Sequence, residues 1–235
     1  MCKNGQSAAL SLSESQLQVF LSGILGDGYI HTTNSNSTYF TTNCKFEEYI
    51  DYKRELLGDF FKSKKLQEAN GYCQTPIYIL RSKSDKRLLG LKNADVQTIL
   101  DNLTELGVAL WFYDDGSLHK KNLFYNLNTH AFPKEIQERY FIPFFNKLGI
   151  YPSLQVENKR DGRQFWYLRI GKFSGADKIS AILEKYPITC YSYKRWSSET
   201  IQKWSKFQEE LKSTDIDFES LSSQAKTALF KRFTM

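Results

Sequence analysis

The chain lacks the long apolar runs and clustered metal-binding residues that define membrane, secreted and zinc proteins. No apolar run approaches the roughly 18 residues that cross a bilayer, and residues 1–7 contain no apolar signal core. We therefore expect an intracellular protein with no membrane partner. The sequence leaves open whether it works in an organelle (mitochondrion or chloroplast) or in bacterial or phage cytoplasm.

Cysteine and histidine are scarce and scattered. The four cysteines lie far apart, at Cys2, Cys44, Cys73 and Cys190. Because they form no Cys-x-x-Cys pair, they argue against a zinc ribbon or a disulfide framework and predict reduced thiols. The three histidines are spread out as well, at His31, His119 and His130. Their spacing matches no zinc site, so zinc hydrolase chemistry is not expected.

The charge balance favours a polyanionic partner. Lys and Arg total 32 against 26 Asp and Glu, which gives a net charge of +6 and a pI near 9.0. A basic excess of this size does not by itself identify nucleic acid as the partner. With 235 residues, the chain has room for one large domain or for two domains of roughly 100 residues each.

Two short segments, one in each half, carry most of the chemical information. In residues 21–28 and 109–116, an apolar run compatible with a helix stops at an aspartate followed by glycine. Helices commonly end at a left-handed glycine, and a carboxylate there lies beside unpaired backbone carbonyls. Such a place suits a hard divalent cation. Asp27 and Asp115 therefore predict metal-dependent phosphodiester chemistry, although Asp-Gly is also a common hairpin turn.

The order of predicted elements indicates two related halves. The apolar spacing predicts helix–strand–strand–helix–strand–strand–helix twice, and hence an α+β tandem repeat. The first helix opens with a capping box from Ser13 to Gln16. In the first half we predict helices 13–26 and 47–61, strands 29–33, 38–43, 66–69 and 77–83, and a connecting segment 85–98. In the second half we predict helices 103–113, 134–148 and 176–185, and strands 117–121, 123–129, 154–159 and 164–171.

These elements divide the chain into four parts. Residues 1–12 form a loose leader, 13–98 the first half with its linker, 99–212 the second half and 213–235 a tail. The tail carries apolar residues that would form a helix packing on the second half.

The strands of the second half alternate apolar and polar residues. Strand 164–171 alternates Leu168 and Ile170 with Tyr167 and Arg169, and strand 154–159 follows the same pattern. One sheet face would then be apolar, while the other carries side chains able to read base edges and contact phosphates from a β-ribbon. A solvated sheet face is the alternative interpretation.

With both motifs in place, the chain resembles the LAGLIDADG homing endonucleases, specifically the single-chain, two-motif members encoded in group I introns. The resemblance rests on residues 23–30 (Gly-Ile-Leu-Gly-Asp-Gly-Tyr-Ile) and 103–116 (Leu-Thr-Glu-Leu-Gly-Val-Ala-Leu-Trp-Phe-Tyr-Asp-Asp-Gly), and extends over roughly residues 13–205. It implies a tandem αββαββα fold with pseudo-twofold symmetry. Two motif helices would pack side by side, and two curved antiparallel sheets would form a saddle over DNA.

Close packing of the two motif helices requires small residues. The residues available for it are Ser22, Gly23, Gly26, Gly107 and Ala109. The chain departs from the family pattern at Ser22, where a glycine is usual, and at Leu110, where the second motif often has a smaller residue.

The resemblance also implies the metal site. Asp27 and Asp115 take the metal-binding acidic role, and the backbone carbonyls of Gly26 and Asp114 would be further ligands. The expected cofactor is Mg²⁺, with Mn²⁺ able to substitute and Ca²⁺ binding without supporting cleavage. The metal would lower the pKa of a bound water and neutralise charge on the leaving 3′ oxygen.

Two lysines would stabilise the transition state or polarise the attacking waters. Lys194 matches a basic residue of the family near the second-half active site. Lys92 matches its first-half counterpart, with Lys86 or Arg87 as substitutes. An ordinary surface lysine is the alternative interpretation of Lys92.

The predicted function is a site-specific endonuclease that hydrolyses one phosphodiester in each strand of a long asymmetric double-stranded DNA site and acts as a monomer. The predicted DNA contacts are His31, Thr33, Thr41, Arg81, Lys83, Lys120, Asn128, Gln155, Lys159, Arg163, Tyr167 and Arg169. The leading alternative is an RNA maturase that assists splicing of its group I intron RNA, with or without nuclease activity. A DNA-binding regulator on the same fold and an unrelated basic α+β protein are further alternatives. Retention of both aspartates favours cleavage.

Overall fold

The computed structural model describes residues 12–33, 37–69 and 74–234 of the chain. Cys2, Cys73, the predicted leader before Leu12 and residues 34–36 of the first interstrand loop lie outside these ranges. Cys44 and Cys190, the cysteines within them, are unpaired thiols. None of the helices described there combines the length and apolarity that a membrane span requires.

The first half contains its helices and strands in the predicted order. Their bounds are α1 (Glu14–Leu25), β1 (Gly28–Thr32), β2 (Thr38–Cys44), α2 (Glu47–Leu57), β3 (Phe61–Gln67), β4 (Ile77–Ser82), α3 (Arg87–Lys92) and, in the linker, α4 (Val96–Asp101). The predicted capping box at α1 is confirmed. The Gln16 backbone N–H donates to the Ser13 hydroxyl (3.2 Å), and the Ser13 N–H donates to the Gln16 side chain (3.0 Å).

The second half repeats this order. Its elements are α5 (Glu105–Asp115), β5 (Gly116–His119), β6 (Phe124–Leu127), α6 (Lys134–Ile136 continuing through a π-helical segment, Gln137–Phe141, into Ile142–Lys147), β7 (Ser153–Asn158), β8 (Gln164–Ile170) and α7 (Asp177–Lys185). A short 3-10 helix (Thr189–Lys194) follows α7 and leads into α8 (Ser198–Lys212), which ends the second half, and α9 (Ser223–Thr234), which lies in the tail.

Each half forms a four-stranded antiparallel sheet, and the two sheets have equivalent strand orders, β1-β2-β4-β3 and β5-β6-β8-β7. One face of each sheet packs on helices. Phe40 and Leu80 point to that face and are fully buried, whereas Tyr29, one residue out of phase with buried Ile30, is 58% exposed. The predicted α+β tandem repeat is confirmed.

The motif helices α1 and α5 pack against each other at the centre of the molecule. A Cβ on Gly107 of α5 would lie 2.3 Å from the Gln18 Oε1 of α1, so a side chain at position 107 would displace the buried Gln18 amide. The same Gln18 oxygen accepts from the Thr104 backbone N–H (3.0 Å), and the Gln18 amide donates to the Asn102 carbonyl (2.9 Å). A buried glutamine thus fixes the register of the two helices.

The small residues of α1 do not all serve this contact. Gly23 faces its own sheet, since a Cβ there would lie 2.5 Å from the Phe40 ring. Ser22 is buried and donates to the Val19 carbonyl of its own helix (3.3 Å). The prediction that Gly23 brings the helices together was therefore wrong, because its position on α1 points toward β2.

The predicted boundaries that differ most from the structure lie in the first half and its linker. Helix α2 stops at Leu57 rather than at residue 61, because Gly58 adopts a left-handed conformation (φ 51°) that ends it. Strand β3 begins at Phe61, earlier than the predicted 66–69. Its sequence is rich in lysine and has few apolar residues, so no alternation of apolar and polar residues marks it as a strand. The connecting segment 85–98 contains α3 and the start of α4, which bury Leu88 and Ile99.

The tail packs on the second half, as predicted. Phe218 and Phe230 lie against Phe173, with ring centroids 5.4 and 6.2 Å away, and Phe207 of α8 contacts Phe230 at 5.2 Å. An aromatic cluster therefore fixes α8 and α9 to the segment that follows β8.

Candidate active site

The two motif helices end beside each other. Asp27 follows α1 directly after Gly26, and Asp115 is the last residue of α5. A Cβ on Gly26 would lie 3.0 Å from both the Asp114 Cβ and the Asp115 Oδ2. The missing side chain at Gly26 therefore lets the second motif approach the first, and it brings the two predicted metal-binding carboxylates to one place.

The glycines of the two motifs are needed for close contact and not for a left-handed turn. Gly26 has φ −125° and Gly116 has φ −81°, so the expectation of left-handed helix ends was wrong. A Cβ on Gly116 would lie 2.5 Å from the Phe112 carbonyl, and one on Gly28 would lie 2.4 Å from the Phe40 ring. Steric room, rather than backbone conformation, explains these glycines.

The carboxylates at this junction repel one another. Burial, followed by the charges of Asp27 and Asp114, raises the pKa of Asp115 to about 7. The pKa of the Asp27 carboxyl is raised as well, first by partial loss of solvent around it and then by the charge of Asp114. A bound cation would relieve this repulsion and favour the charged form of both groups.

Asp114 is held by side chains of the first half. Its carboxylate accepts two hydrogen bonds from the Lys53 Nζ (2.8 and 3.0 Å) and one from the Tyr49 hydroxyl (2.7 Å). The Lys53 and Asp114 side chains are 0% and 2% exposed. This is a buried ion pair that connects α2 of the first half to the motif of the second.

Lys53 and Tyr49 were missed by the sequence analysis. A signal was present: Tyr49, Lys53 and Leu57 recur at a spacing of four along α2, which puts a lysine in an otherwise apolar stripe. A lysine on a buried helix face requires an acidic partner. The sequence did not show that the partner would be the aspartate preceding Asp115.

Lys194 lies at the C-terminal end of α5. Its side chain is buried, and its Nζ donates to the backbone carbonyls of Phe112 (3.2 Å) and Tyr113 (2.6 Å). Burial lowers the pKa of Lys194 to about 8, although Asp114, Asp115 and Asp27 act in the opposite direction. The predicted second-half lysine therefore lies within the electrostatic field of Asp27 and Asp115, the two predicted metal-binding aspartates.

Lys92 lies in a different environment from Lys194. It is exposed and donates to the Thr32 hydroxyl at the end of β1 (2.9 Å). Of its predicted substitutes, Arg87 pairs with Asp85 (2.7 Å), and Lys86 is exposed at the start of α3. The lysines that act on Asp27 and Asp115 are Lys53 and Lys194.

The donor set fits a hard divalent cation that keeps part of its water shell. Within the described ranges, no group of three or more His, Cys, Asp or Glu side chains could hold a metal by itself. Mg²⁺ is commonly bound by only one or two carboxylates together with water and substrate phosphates. Asp27, Asp115 and neighbouring backbone carbonyls match that arrangement.

The predicted DNA contacts of the first half lie on or beside the open face of its sheet. His31, Thr41 and Arg81 share this face, and the His31 Nε2 lies 2.8 Å from the Thr41 hydroxyl. Thr33 follows β1, where its hydroxyl donates to the Ser37 carbonyl (3.1 Å). Lys83 follows β4 and is exposed.

The predicted contacts of the second half form two groups. Gln155, Tyr167 and Arg169 lie on the open sheet face, whereas Lys120 and Asn128 are exposed just beyond β5 and β6. Lys159 and Arg163, in the β7–β8 hairpin, are each paired with a carboxylate. The pairs are Lys159–Glu157 (2.6 Å) and Arg163–Asp161 (2.7 Å).

Comparison with known proteins identifies the family. Residues 17–177 match the sequence profile of the LAGLIDADG DNA endonuclease family. The match covers more than half of the chain, so the protein belongs to this family, and its two motifs lie in a single chain as the sequence analysis predicted. No curated protein sequence was found to match.

The fold is similar to that of solved homing endonucleases. I-WcaI bound to its DNA recognition sequence superposes with a TM-score of 0.64 at 21% identity, covering 78% of this chain and 86% of that chain. I-DmoI in complex with DNA and Mn aligns with a TM-score of 0.45 at 16% identity, covering 72% and 97%. The first of these similarities confirms the two-half fold.

Proposed function

We propose that the protein is a site-specific DNA endonuclease that hydrolyses one phosphodiester in each strand of a long double-stranded site. The observation that carries this proposal is the meeting of Asp27 and Asp115 at the ends of two packed helices, one from each half. Each half also contributes an antiparallel sheet with a polar open face. Each DNA strand would then have one carboxylate for its cleavage, and each half of the DNA site would have one sheet for its recognition.

Asp27 and Asp115 would hold Mg²⁺ together with backbone carbonyls at Gly26 and Asp114. When bound, the metal supplies a water of lowered pKa and charge neutralisation at the leaving 3′ oxygen. Mn²⁺ is expected to substitute, and Ca²⁺ to support binding without cleavage. Complexes of I-DmoI with Mn, Mg and Ca have been solved, in keeping with this choice of ions.

Lys194 would contribute positive charge next to the reacting phosphate. Its Nζ is fixed by two backbone carbonyls, so the charge needs no rearrangement when a transition state forms. Lys53 is a positioning residue in this proposal, because it acts on the site through Asp114. The exposed Lys92, at the end of α3 and bonded to Thr32 of the edge strand β1, would contact the DNA backbone.

Several open-face side chains differ between the halves, such as Tyr29 against Ser117 and Thr41 against Asn126, so the target is expected to be asymmetric overall. One chain supplies both carboxylates, which makes a monomer sufficient for a double-strand cut. Homing of a group I intron is the biological role that such an enzyme would serve.

A selection followed by a cleavage assay tests this proposal. Duplexes from a large randomised library that bind the protein in Ca²⁺ would be enriched over several rounds, cloned, and incubated with Mg²⁺. We expect a double-strand cut at one enriched site by the wild type and none by the Asp27→Ala/Asp115→Ala variant. Retention of a structured intron RNA, with no enriched or cleaved duplex, would instead support a maturase.

A further inference from the structure

Matching constellations of side chains lie on the open faces of the two sheets. His31 is four residues beyond Asp27, and His119 is four residues beyond Asp115. In the first sheet, His31 pairs with Tyr39 across β1 and β2, and Arg81 of β4 pairs with the residue two positions beyond Tyr39.

The second sheet repeats this register. His119 pairs with Phe124 across β5 and β6, and Arg169 of β8 pairs with Asn126, two positions beyond Phe124. The two histidine–aromatic–arginine sets therefore occupy equivalent register positions, and the histidine of each set lies four residues beyond its aspartate.

The rings and guanidinium groups are stacked in both sets. The His31 ring lies 4.8 Å from the Tyr39 ring at 13°, and the Arg81 Cζ lies 3.7 Å from the Tyr39 ring centroid. The His119 ring lies 4.6 Å from the Phe124 ring at 8°, and the Arg169 Cζ lies 4.5 Å from the Phe124 centroid. Each arginine is thereby held over an aromatic ring, which restricts where its planar fork of donors can lie.

The charge of each of the two arginines is not balanced by a carboxylate among the described residues. Neither Arg81 nor Arg169 takes part in any ion pair of the described residues, in contrast to Arg87 and Arg163. The Arg81 Nε is buried without a hydrogen-bond partner. The Arg169 Nε donates to the Asn126 side chain (3.0 Å), and its Nη2 donates to the Tyr167 hydroxyl (3.0 Å). Both arginines are pre-positioned by neutral groups and lack an internal anion.

Their place in the sheets favours bases over phosphates. Strand β4 lies between β2 and β3, and β8 lies between β6 and β7, so both arginines project from the middle of a sheet. A β-ribbon in the major groove presents its central side chains to the base edges and its margins to the backbone. Arginine held as a planar fork is the preferred partner of the guanine O6 and N7 atoms.

We propose that Arg81 and Arg169 each recognise a guanine, and that these guanines lie at equal distances on either side of the cleavage centre on opposite strands. The inference rests on the proposed DNA-binding function and makes it more specific. The target would be asymmetric in most positions but would retain one mirrored pair of G·C base pairs.

The test compares binding profiles of the full-length protein and its variants. Wild type, Arg81→Lys and Arg169→Lys would each be used to select bound duplexes from the same randomised library in Ca²⁺ at fixed salt. Lysine keeps the charge but loses the planar fork. Each variant should lose a preference for guanine of about 10- to 100-fold at one position, and the two positions should mirror each other. Arg54→Lys is the matched control, because Arg54 lies on α2 and pairs with Asp51.

Two outcomes separate this inference from the function on which it rests. If wild type enriches a defined site but the variants weaken binding evenly at all positions, the arginines contact phosphates and the inference is overturned alone. Loss of guanine preference at positions that do not mirror each other would overturn it as well. If wild type enriches no duplex at all, the proposed function fails and the inference fails with it.

Discussion

The two halves share strand order and helix placement, yet they end their motif helices differently. In the first half, Gly26 has no side chain and Asp27 is exposed. In the second half, Asp114 is buried in an ion pair and Asp115 is partly buried. Near-equivalent folds thus deliver the two carboxylates into unequal surroundings.

The unequal surroundings arise because residues of the first half help to build the second-half site. The second motif is fixed from the first half by Lys53 and Tyr49. The carboxylate of Glu48, also on α2, accepts the backbone N–H groups of Thr189 (2.8 Å) and Cys190 (2.9 Å), at the start of the turn that carries Lys194. Helix α2 therefore positions both the acidic and the basic part of the second-half site. These contacts join specific residues of the two halves, so replacing one half by a copy of the other would remove them.

Removing either metal-binding carboxylate should have the largest effect. Asp27→Asn and Asp115→Asn are each expected to reduce cleavage of both strands by about a thousandfold or more, because in the proposed site each aspartate is a metal ligand that the two half-sites share. The measurement is conversion of a supercoiled plasmid carrying the selected site into nicked and linear forms. Binding in Ca²⁺ serves as the control for folding and DNA recognition. A clean nickase from Asp115→Asn would show that the halves cut independently.

Breaking the buried ion pair should cost about 3 to 5 kcal/mol of unfolding free energy, because Lys53→Met leaves Asp114 charged and buried. The double variant Lys53→Met/Asp114→Asn should recover most of that loss. Denaturant unfolding of Lys53→Met, Asp114→Asn and the double variant, each against wild type, measures the coupling.

Lys64→Met is the matched control for this cycle. Lys64 pairs with Glu47 and Asp51 on the outer side of the same helix, where solvent screens the charges, so a much smaller loss is expected. Equal losses at Lys53 and Lys64 would mean that the pair between the halves has no special structural role.

The two predicted catalytic lysines should differ in importance. Lys194→Met is expected to slow cleavage by about a hundredfold or more at unchanged DNA affinity, since its Nζ is fixed beside both aspartates. Lys92→Met should slow cleavage less than about tenfold and weaken binding, as expected of an exposed backbone contact. Single-turnover rates and gel-shift affinities separate the two effects. If Lys194→Met and Lys92→Met slowed cleavage equally, the two lysines would have equivalent roles and the inference that the half-sites are unequal would be wrong.

Much of this architecture could be predicted from the sequence, because apolar periodicity and the two Asp-Gly stops are local signals. Element order and the capping box at Ser13 follow from such signals, whereas the meeting of Asp27 and Asp115 was implied by the resemblance to a known family. The Lys53–Asp114 pair could not be derived, since its partners are 61 residues apart and belong to different halves. The stacking of Arg81 on Tyr39 likewise depends on sheet register, which a β-strand pattern alone does not fix.

The raised pKa of Asp115 should also affect how the stability of the protein depends on pH. The pKa of Asp115 is about 7 in the folded protein, against an ordinary value of 3.8. Between these values the folded state binds a proton that the unfolded state has released, so metal-free protein should gain stability as pH falls through 7. We expect a gain of about 1 to 2 kcal/mol between pH 7.5 and 5.5, measured by urea unfolding.

The Asp115→Asn variant isolates this effect. It keeps His31, whose lowered pKa acts in the opposite direction over the same range, so the difference between wild type and variant reports Asp115. The variant should be the more stable protein at pH 7.5, and the two should converge at pH 5.5. Saturating Mn²⁺ should reverse the trend in the wild type alone, because a bound cation favours the ionised carboxylates and competes with protons. A wild-type profile that follows that of Asp115→Asn throughout would mean that Asp115 is ionised in the metal-free protein, and that the repulsion at the motif junction is relieved by other groups.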